Sequence, residues 1–495
     1  MSILLLTWLL ILPVSAYPSS EQIQLNLKDS IRRAVEKNLD VRADLYNPAQ
    51  FEADINRARS IYDPMLALST DYVDSTTSPV GSITSGKVID SQSFLINSSV
   101  SQLMWTGASA SLNFNNSYTG SNASGSMPNY WQTGLGASIS QPLLKNSGRD
   151  ATEIAINVSR LSKFSSLERF NSRLLATVAQ VRTEYYKLYS LLEDRDVKKV
   201  SLELARKILS DTKARVKAGV LPAMEILNAE FGSASREKDL IDADLAVVNQ
   251  FDVLRLLLQL DDRQSEISII DLPPRELLNV VEEDAVRKAM GRPDIREQKR
   301  NLEIAELQTR VFSNKTRPDL SLIASAKLTG NDSTYQGNLD KVVTFDYPVW
   351  SIGLNFTYPL GNKAAENDYR KSRLKTEQTA LQIRSLEENA AIEVRAAIRG
   401  IATGFKQIEV ADRGRAFAEE RLRAFIRKNE VGLATTKEVL DVENDLAVSK
   451  SNQIKAVVGY ANALTRYWQV TGELLEREGV RVVEGDADKL YSATR

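Results

Sequence analysis

The stretch PVWSIGLNFTYPLGNKAAEN, residues 348–367, changes period at its middle. Before Pro359, Trp350, Ile352, Leu354, Phe356 and Tyr358 alternate with Ser351, Gly353, Asn355 and Thr357, the period of two expected of a strand with one apolar and one polar face. From Lys363 to Val431 no proline occurs, and a helix over that stretch would extend roughly 105 Å at 1.5 Å per residue. Its apolar residues Ile383, Leu386, Ala390, Val394, Ala397, Ile401, Phe405 and Ile408 are spaced by threes and fours. A helix so long owes its order to packing along other helices.

The same arrangement occurs earlier in the chain. Asp29 to Arg42 has a counterpart in Asp284 to Arg296, Asp63-Pro64 to Leu68 in Arg317-Pro318 to Leu322, Gly136 to Leu143 in Gly353 to Leu360, and Gly219 to Leu227 in Gly432 to Leu440. Four anchors in one order imply a duplicated unit. The first long helix is expected from Arg149 to Ala218, with Leu167, Phe170, Leu174, Val178, Val181, Tyr185, Leu188 and Leu192 as its apolar stripe. Shorter return helices are expected over Ala223 to Leu260 and Thr435 to Gly472, and helices ahead of the strands over Lys28 to about Ser60 and Glu283 to about Thr316.

The offset between copies falls from 254 at the second anchor to 217 at the third, so the first copy carries 37 additional residues between Leu68 and Gly136. These form a further hairpin, with Phe94 to Trp105 as one arm, a turn at Thr106-Gly107, and Ala108, Ala110, Leu112 and Phe114 on one face of the other. Its place, in a sheet or over the end of one, is left open by the sequence. The expected organisation is a signal peptide over 1–16, a first repeat over 17–260 with the hairpin insertion at about 74–129, a connector over 261–283, a second repeat over 284–475 and a polar tail over 476–495.

Composition narrows the function. The 495 residues carry a formal net charge of -1 and a mean hydropathy of -0.26, unlike a basic nucleic-acid binder or a polytopic helical membrane protein. With no His and no Cys, an imidazole acid/base, a thiol nucleophile and the usual zinc sites are excluded. Ile3 to Val14 is apolar and precedes Val14-Ser15-Ala16, a small-residue cleavage site, so an exported chain starting at Tyr17 is expected. No later window supplies the ~20 apolar residues of a spanning helix. Entry into a membrane would therefore require a β-barrel. Strands greasy on one face and rich in Ser, Gly, Asn and Thr on the other fit one, as do Trp105, Tyr118, Tyr130, Trp131, Tyr347, Trp350 and Tyr358 at strand ends. A soluble sheet packed on one side would give the same alternation.

Signal peptide, duplication, two strands running into a very long helix, and a Gly turn running into Glu-x-Leu resemble the TolC-type outer-membrane efflux protein family over about Leu25 to Leu474. The resemblance is carried by Tyr185-Tyr186, Gly219, and Val431-Gly432 with Glu438-Val-Leu440-Asp441. It implies a mainly α fold with a membrane β-barrel part, in which both repeats form one TolC-like domain and a homotrimer closes one barrel above a periplasmic helical tube. It further implies a passive exit duct in the cell outer membrane, neither an enzyme nor a nucleic-acid binder, without cofactor. The duct would serve a tripartite efflux pump or type I secretion, docked to a periplasmic adaptor and driven by an inner-membrane pump or ABC exporter. Physical reasoning favours the trimer independently, since four strands cannot close a water-filled barrel but three sets of four can. A coiled-coil scaffold in the periplasm or outside the cell is the competing expectation; it accounts for the helices and not for the strands.

Gly219, Val220 and Leu221, and Val431, Gly432 and Leu433, are helix-to-helix turns with Gly as C-cap. By resemblance they form the periplasmic tip where adaptor hairpins dock. Glu438 and Asp441, three apart at the start of a helix, share one face. They favour the helix N-terminus in any fold, and in a trimer would ring a pore constriction selective for cations. The first copy has Glu225 but Asn228, and Asn429 and Ala434 stand where the best-known family member holds its entrance shut with a tyrosine and an arginine.

Overall fold

The computed structural model describes residues 23–78, 88–122, 127–260, 267–481 and 484–494; the expected signal peptide lies outside them. The first half runs β1 (Ile23–Leu25), α1 (Leu27–Lys37), α2 (Leu39–Arg59), β2 (Met65–Thr77), β3 (Ile89–Leu103), β4 (Ser109–Ser121), β5 (Asn129–Pro142), α3 (Arg149–Thr152), α4 (Ile154–Lys217) and α5 (Met224–Leu258). The second runs β6 (Ile267–Ile269), α6 (Glu282–Ala289), α7 (Pro293–Lys315), β7 (Asp319–Asp332), α8 (Tyr335–Val343), β8 (Pro348–Thr357), α9 (Lys363–Glu430), α10 (Thr436–Thr471), α11 (Leu474–Arg477) and α12 (Glu484–Ala493).

The long helices form as expected, over 64 residues in α4 and 68 in α9. Of the expected stripes, Val178, Val181, Tyr185 and Leu188 on α4 and Ala390, Val394 and Ile401 on α9 are buried. The helices ahead of the strands depart from expectation, because each is broken in two. In the first copy Asn38 ends α1 and its Oδ1 accepts from the backbone N–H of Asp40 and Val41, capping α2, while its Nδ2 donates to the Leu257 carbonyl. In the second copy the break falls at Gly291-Arg292, and Pro293 opens α7, where a missing N–H costs nothing.

The chain divides into two compact units. One comprises Met1–Asp44, Phe170–Arg292 and Asn389–Val482. Its core gathers Ile31, Val178, Val181, Tyr185, Leu254 and Leu474, and a second cluster gathers Val394, Ile401, Val457, Tyr460 and Leu464. The connector is more than a linker here. β6 pairs in parallel with β1, the Tyr185 hydroxyl donates to the Leu25 carbonyl at 2.8 Å and accepts from the Asp271 backbone N–H at 3.2 Å, and the Tyr460 hydroxyl accepts from the Leu278 N–H at 3.1 Å. Burial drives the Tyr185 phenol far above its ordinary range, so it stays protonated and donating.

The other unit comprises Leu45–Arg169, Pro293–Glu388 and Val483–Arg495 and contains one antiparallel six-stranded sheet in the order β2-β3-β4-β5-β7-β8. The inserted hairpin supplies β3 and β4, inside the sheet between β2 and β5. The expected polar tail contributes α12, where Ala487 is buried and Asp488 accepts from Lys163 Nζ at 2.6 Å, beside the Lys163–Glu52 pair at 2.8 Å.

Candidate functional site

Two regions invite a functional reading. The first is the sheet. Cross-strand register puts Leu66, Val100, Leu112, Ala137, Ala326 and Trp350 in one row across all six strands. Six residues further along β2, Tyr72 begins a row that continues through Phe94, Tyr118 and Trp131 on the same face. Tyr130, in contrast, pairs with Thr119 on the polar face, so it does not join this belt. The distance between rows is roughly 20 Å along the strand at about 3.4 Å per residue, close to the height of a lipid-facing band. Large side chains on this face stand in the open: Leu68 is 71% exposed, Trp350 76% and Leu354 67%. An apolar surface of this extent marks a contact with protein or lipid.

Asn116 and Thr133 interrupt that face and are buried, because α8 lies across β5 and β7 and covers them. Asn338 of α8 donates from Nδ2 to the Thr133 hydroxyl, Thr133 donates to Asn116 Oδ1 at 3.0 Å, and the Thr133 backbone N–H donates to Asn338 Oδ1 at 3.2 Å. Gly330 is required beneath it, since a Cβ there would lie 2.1 Å from the Asn338 carbonyl oxygen. The opposite face carries another row, Ser101, Ser111, Ser138, Ser325 and Ser351, with hydroxyls 2.8 Å apart in the Ser111–Ser138 and Ser325–Ser351 pairs. Lys327 lies on this polar face over Gly134, where a Cβ would come within 2.6 Å of its side chain.

The second region is the pair of helix-to-helix turns. Gly219 and Gly432 sit at φ +77° and +78°, and the N–H of Val220 and Leu433 return to the carbonyls of Arg215 and Lys428 at 2.9 and 2.8 Å. Both turns are thus Schellman caps of one geometry. Val220, Val431 and Leu433 are exposed and Leu221 is half-buried. The two turns line a cleft of about 1000 Å³, to which Arg215, Glu225, Asn429 and Glu438 also contribute. Arg215 Nη1 donates to the carbonyl oxygen of Asn429 at 3.0 Å, and Asn429 Nδ2 donates to the Ala434 carbonyl at 2.9 Å, so these two positions are stapled within the chain. Glu225 Oε2 is buried without a hydrogen-bond partner among the described residues.

Glu438 and Asp441 are both exposed, while their neighbours Val439 and Val442 pack against Leu422. Glu438 completes a capping box: Oε2 accepts from the Thr435 N–H at 2.7 Å and hydroxyl at 2.9 Å, and the Glu438 N–H donates to Thr435 Oγ1 at 3.2 Å. Those two Thr435 donors hold its carboxyl below the usual carboxylate range, so it is charged at neutral pH. A third acid two residues on from Asp441, not singled out in the sequence, behaves differently. Glu443 is buried, and its Oε2 accepts from Arg236 Nε and Nη2, both at 3.0 Å, while Oε1 accepts from Ser201. Nothing in the local sequence separates it from the exposed acids except helical spacing: it lies on the Val439 face of α10.

Along α5, Leu227, Phe231, Ile241, Leu245, Val248 and Leu256 are exposed, and on α9 so are Val410 and Phe417. Intervals of three and four, and sums of these, put such residues on a common helix face that lacks a partner within one chain. Among the described residues, no helix is long and apolar enough to cross a membrane and no group of three or more acidic residues is placed to hold a metal ion.

Comparison with known proteins agrees with these features. The model of the outer membrane efflux protein family matches residues 30–258. Nodulation protein T of Rhizobium leguminosarum bv. trifolii is 23% identical over 359 residues, covering 70% of each chain. Among solved structures, CusC superposes with a TM-score of 0.67 at 14% identity, covering 92% of this chain and 95% of its own. The outer-membrane channel OprN gives 0.68 at 13%, covering 90% of each. The CmeC outer membrane channel of Campylobacter jejuni gives 0.65 at 17%, covering 94% of this chain and 89% of its own. At these identities the structural likeness establishes the fold, mainly helical with a sheet part.

Proposed function

We propose that this chain, a member of the TolC-type outer-membrane efflux protein family, is the passive exit duct of a tripartite efflux pump or a type I secretion system. Proteins of the family are non-enzymatic outer-membrane ducts with a periplasmic helical part, and they work as homotrimers with adaptor proteins and inner-membrane pumps. The cargo, small molecules or proteins, is chosen by the adaptor and by the pump or ABC exporter. The turns Gly219, Val220, Leu221 and Val431, Gly432, Leu433 form the docking tip, whose exposed valines and leucine would seat an adaptor hairpin beside the unpartnered Glu225 oxygen. Glu438 and Asp441 would ring the constriction, Glu438 kept anionic by its cap.

The observation that carries the proposal is the exposed apolar face of the sheet, with its row from Leu66 to Trp350 and its aromatic row, which lipid covers in a closed barrel. A coiled-coil scaffold leaves that face in water without a reason. Extraction tests it: the protein should leave outer membranes only in detergent, migrate as a trimer and conduct in planar bilayers. Recovery as a monomer without detergent would refute the duct. For the constriction, Glu438→Gln/Asp441→Asn is expected to lower cation over anion selectivity several-fold; unchanged selectivity and conductance would remove both residues from the pore.

A further inference from the structure

The sheet carries six strands where the second copy alone supplies two, and two rows, one on each face, run through the inserted hairpin. Val100 and Leu112 continue the apolar row between Leu66 and Ala137. On the other face Ser101 and Ser111 continue the serine row toward Ser138. A hairpin folded over a barrel mouth would meet water on both sides and would not need that alternation. From this geometry we infer that the hairpin β3–β4 is part of the barrel wall, and that three copies close an eighteen-stranded barrel by pairing β8 of one copy with β2 of the next. The inference rests on the duct reading above.

Three features of the sheet lead to that closure. First, β2 and β8 are its two open edges, and unpaired backbone groups in lipid cost several kcal/mol each, so both edges need partners. Second, every neighbouring pair is antiparallel, so with six strands β8 runs opposite to β2. A copy rotated about the barrel axis then presents β2 to β8 in antiparallel register, and the rotation closes a ring. Third, both edge strands are apolar on the same side, Leu66, Leu68 and Tyr72 on β2 and Ile352, Leu354 and Phe356 on β8, so the joint leaves the lipid face continuous.

Width follows from strand number. With a spacing of about 4.8 Å and a tilt of about 40°, eighteen strands enclose a cylinder roughly 36 Å across between backbones, against roughly 24 Å for twelve. The lumen wall would be built largely of Ser, Asn, Gly and Thr, with Asp71 and Asp319 against Lys327 in each copy. Such a barrel is a wide, hydrated vestibule with one more acid than base in each copy. It admits bulky polar cargo.

The chain has no cysteine, so single cysteines report cleanly. In proteoliposomes of the full-length protein, Asn113→Cys on the polar face of β4 is expected to react with a charged, water-soluble maleimide. Leu112→Cys and Phe114→Cys on the other face are expected to react at least tenfold more slowly. Leu68→Cys on β2 and Leu354→Cys on β8 are the controls for the membrane reading itself. If those two are protected while Leu112→Cys reacts as fast as Asn113→Cys, the hairpin lies outside the wall and the eighteen-strand barrel is wrong. If Leu68→Cys and Leu354→Cys also react freely, the sheet is not in lipid, and the duct reading falls with it. Deletion of residues 81–125 joins β2 to β5 with strand polarity preserved; in nanodiscs the barrel should narrow by about one third in electron micrographs, and an unchanged width would equally overturn the inference.

Discussion

At the scale of single residues, an acid's environment decides its role more than its position in the sequence. Glu438 and Glu443 stand five apart on one helix, yet one is an exposed cap and the other a buried acceptor for Arg236 and Ser201. Arg236→Met removes the cation paired with a carboxylate that is 4% exposed, and should destabilise the fold by about 3–5 kcal/mol, whereas Arg236→Met/Glu443→Leu should recover most of that loss. Thermal unfolding of the detergent-solubilised protein measures both; equal loss in the single and double variants would mean that packing, not the stranded charge, is what matters. Glu438 gives the opposite kind of test. Its folded carboxyl titrates below the unfolded value of about 4.3. The cap's contribution is therefore complete above that pH and is lost as pH falls through the lowered folded value. Hydrogen-exchange protection over the first turn of α10 should fall with acid in that range in the wild type and show no such step in Glu438→Gln.

At the scale of elements, the parts that were legible beforehand are those whose order comes from long repetition. The α4 and α9 stripes and the alternation of β8 extend over many residues, so a single misplaced side chain does not obscure them. The exceptions are short and tertiary. Asn38 breaks a helix by capping the next one and by holding Leu257, a contact 219 residues away. α8 spans 9 residues, too few for a helical period to stand out, and is fixed by its Thr334 cap and by the fit of Asn338 over Gly330. Polar Asn116 and Thr133 on a greasy face were the trace of that helix, readable only once register was known. Gly330→Ala should therefore detach α8 and raise hydrogen exchange over 335–343 by an order of magnitude or more. Gly353→Ala, with nothing within 4 Å of its added Cβ, should leave it unchanged. Equal behaviour of the two variants would deny that close approach holds α8.

For the whole molecule, the tip residues were found from sequence as turns, and the structure places Gly219 and Gly432 in matching left-handed caps around one cleft. A docking partner of the kind proposed would lie beyond one chain and leave no trace in local geometry. Subunit number is in the same position, since the exposed apolar faces of α5, α9 and the sheet have no partner within one chain. The central claim is that lipid covers the apolar face of that sheet. Trp350, at the β8 edge of the wall and 76% exposed in one chain, tests it most directly. In proteoliposomes its fluorescence, taken as the difference between wild type and Trp350→Phe, should be quenched by bromine-labelled acyl chains and insensitive to aqueous iodide. Quenching by iodide with no effect of the brominated lipid would contradict the account.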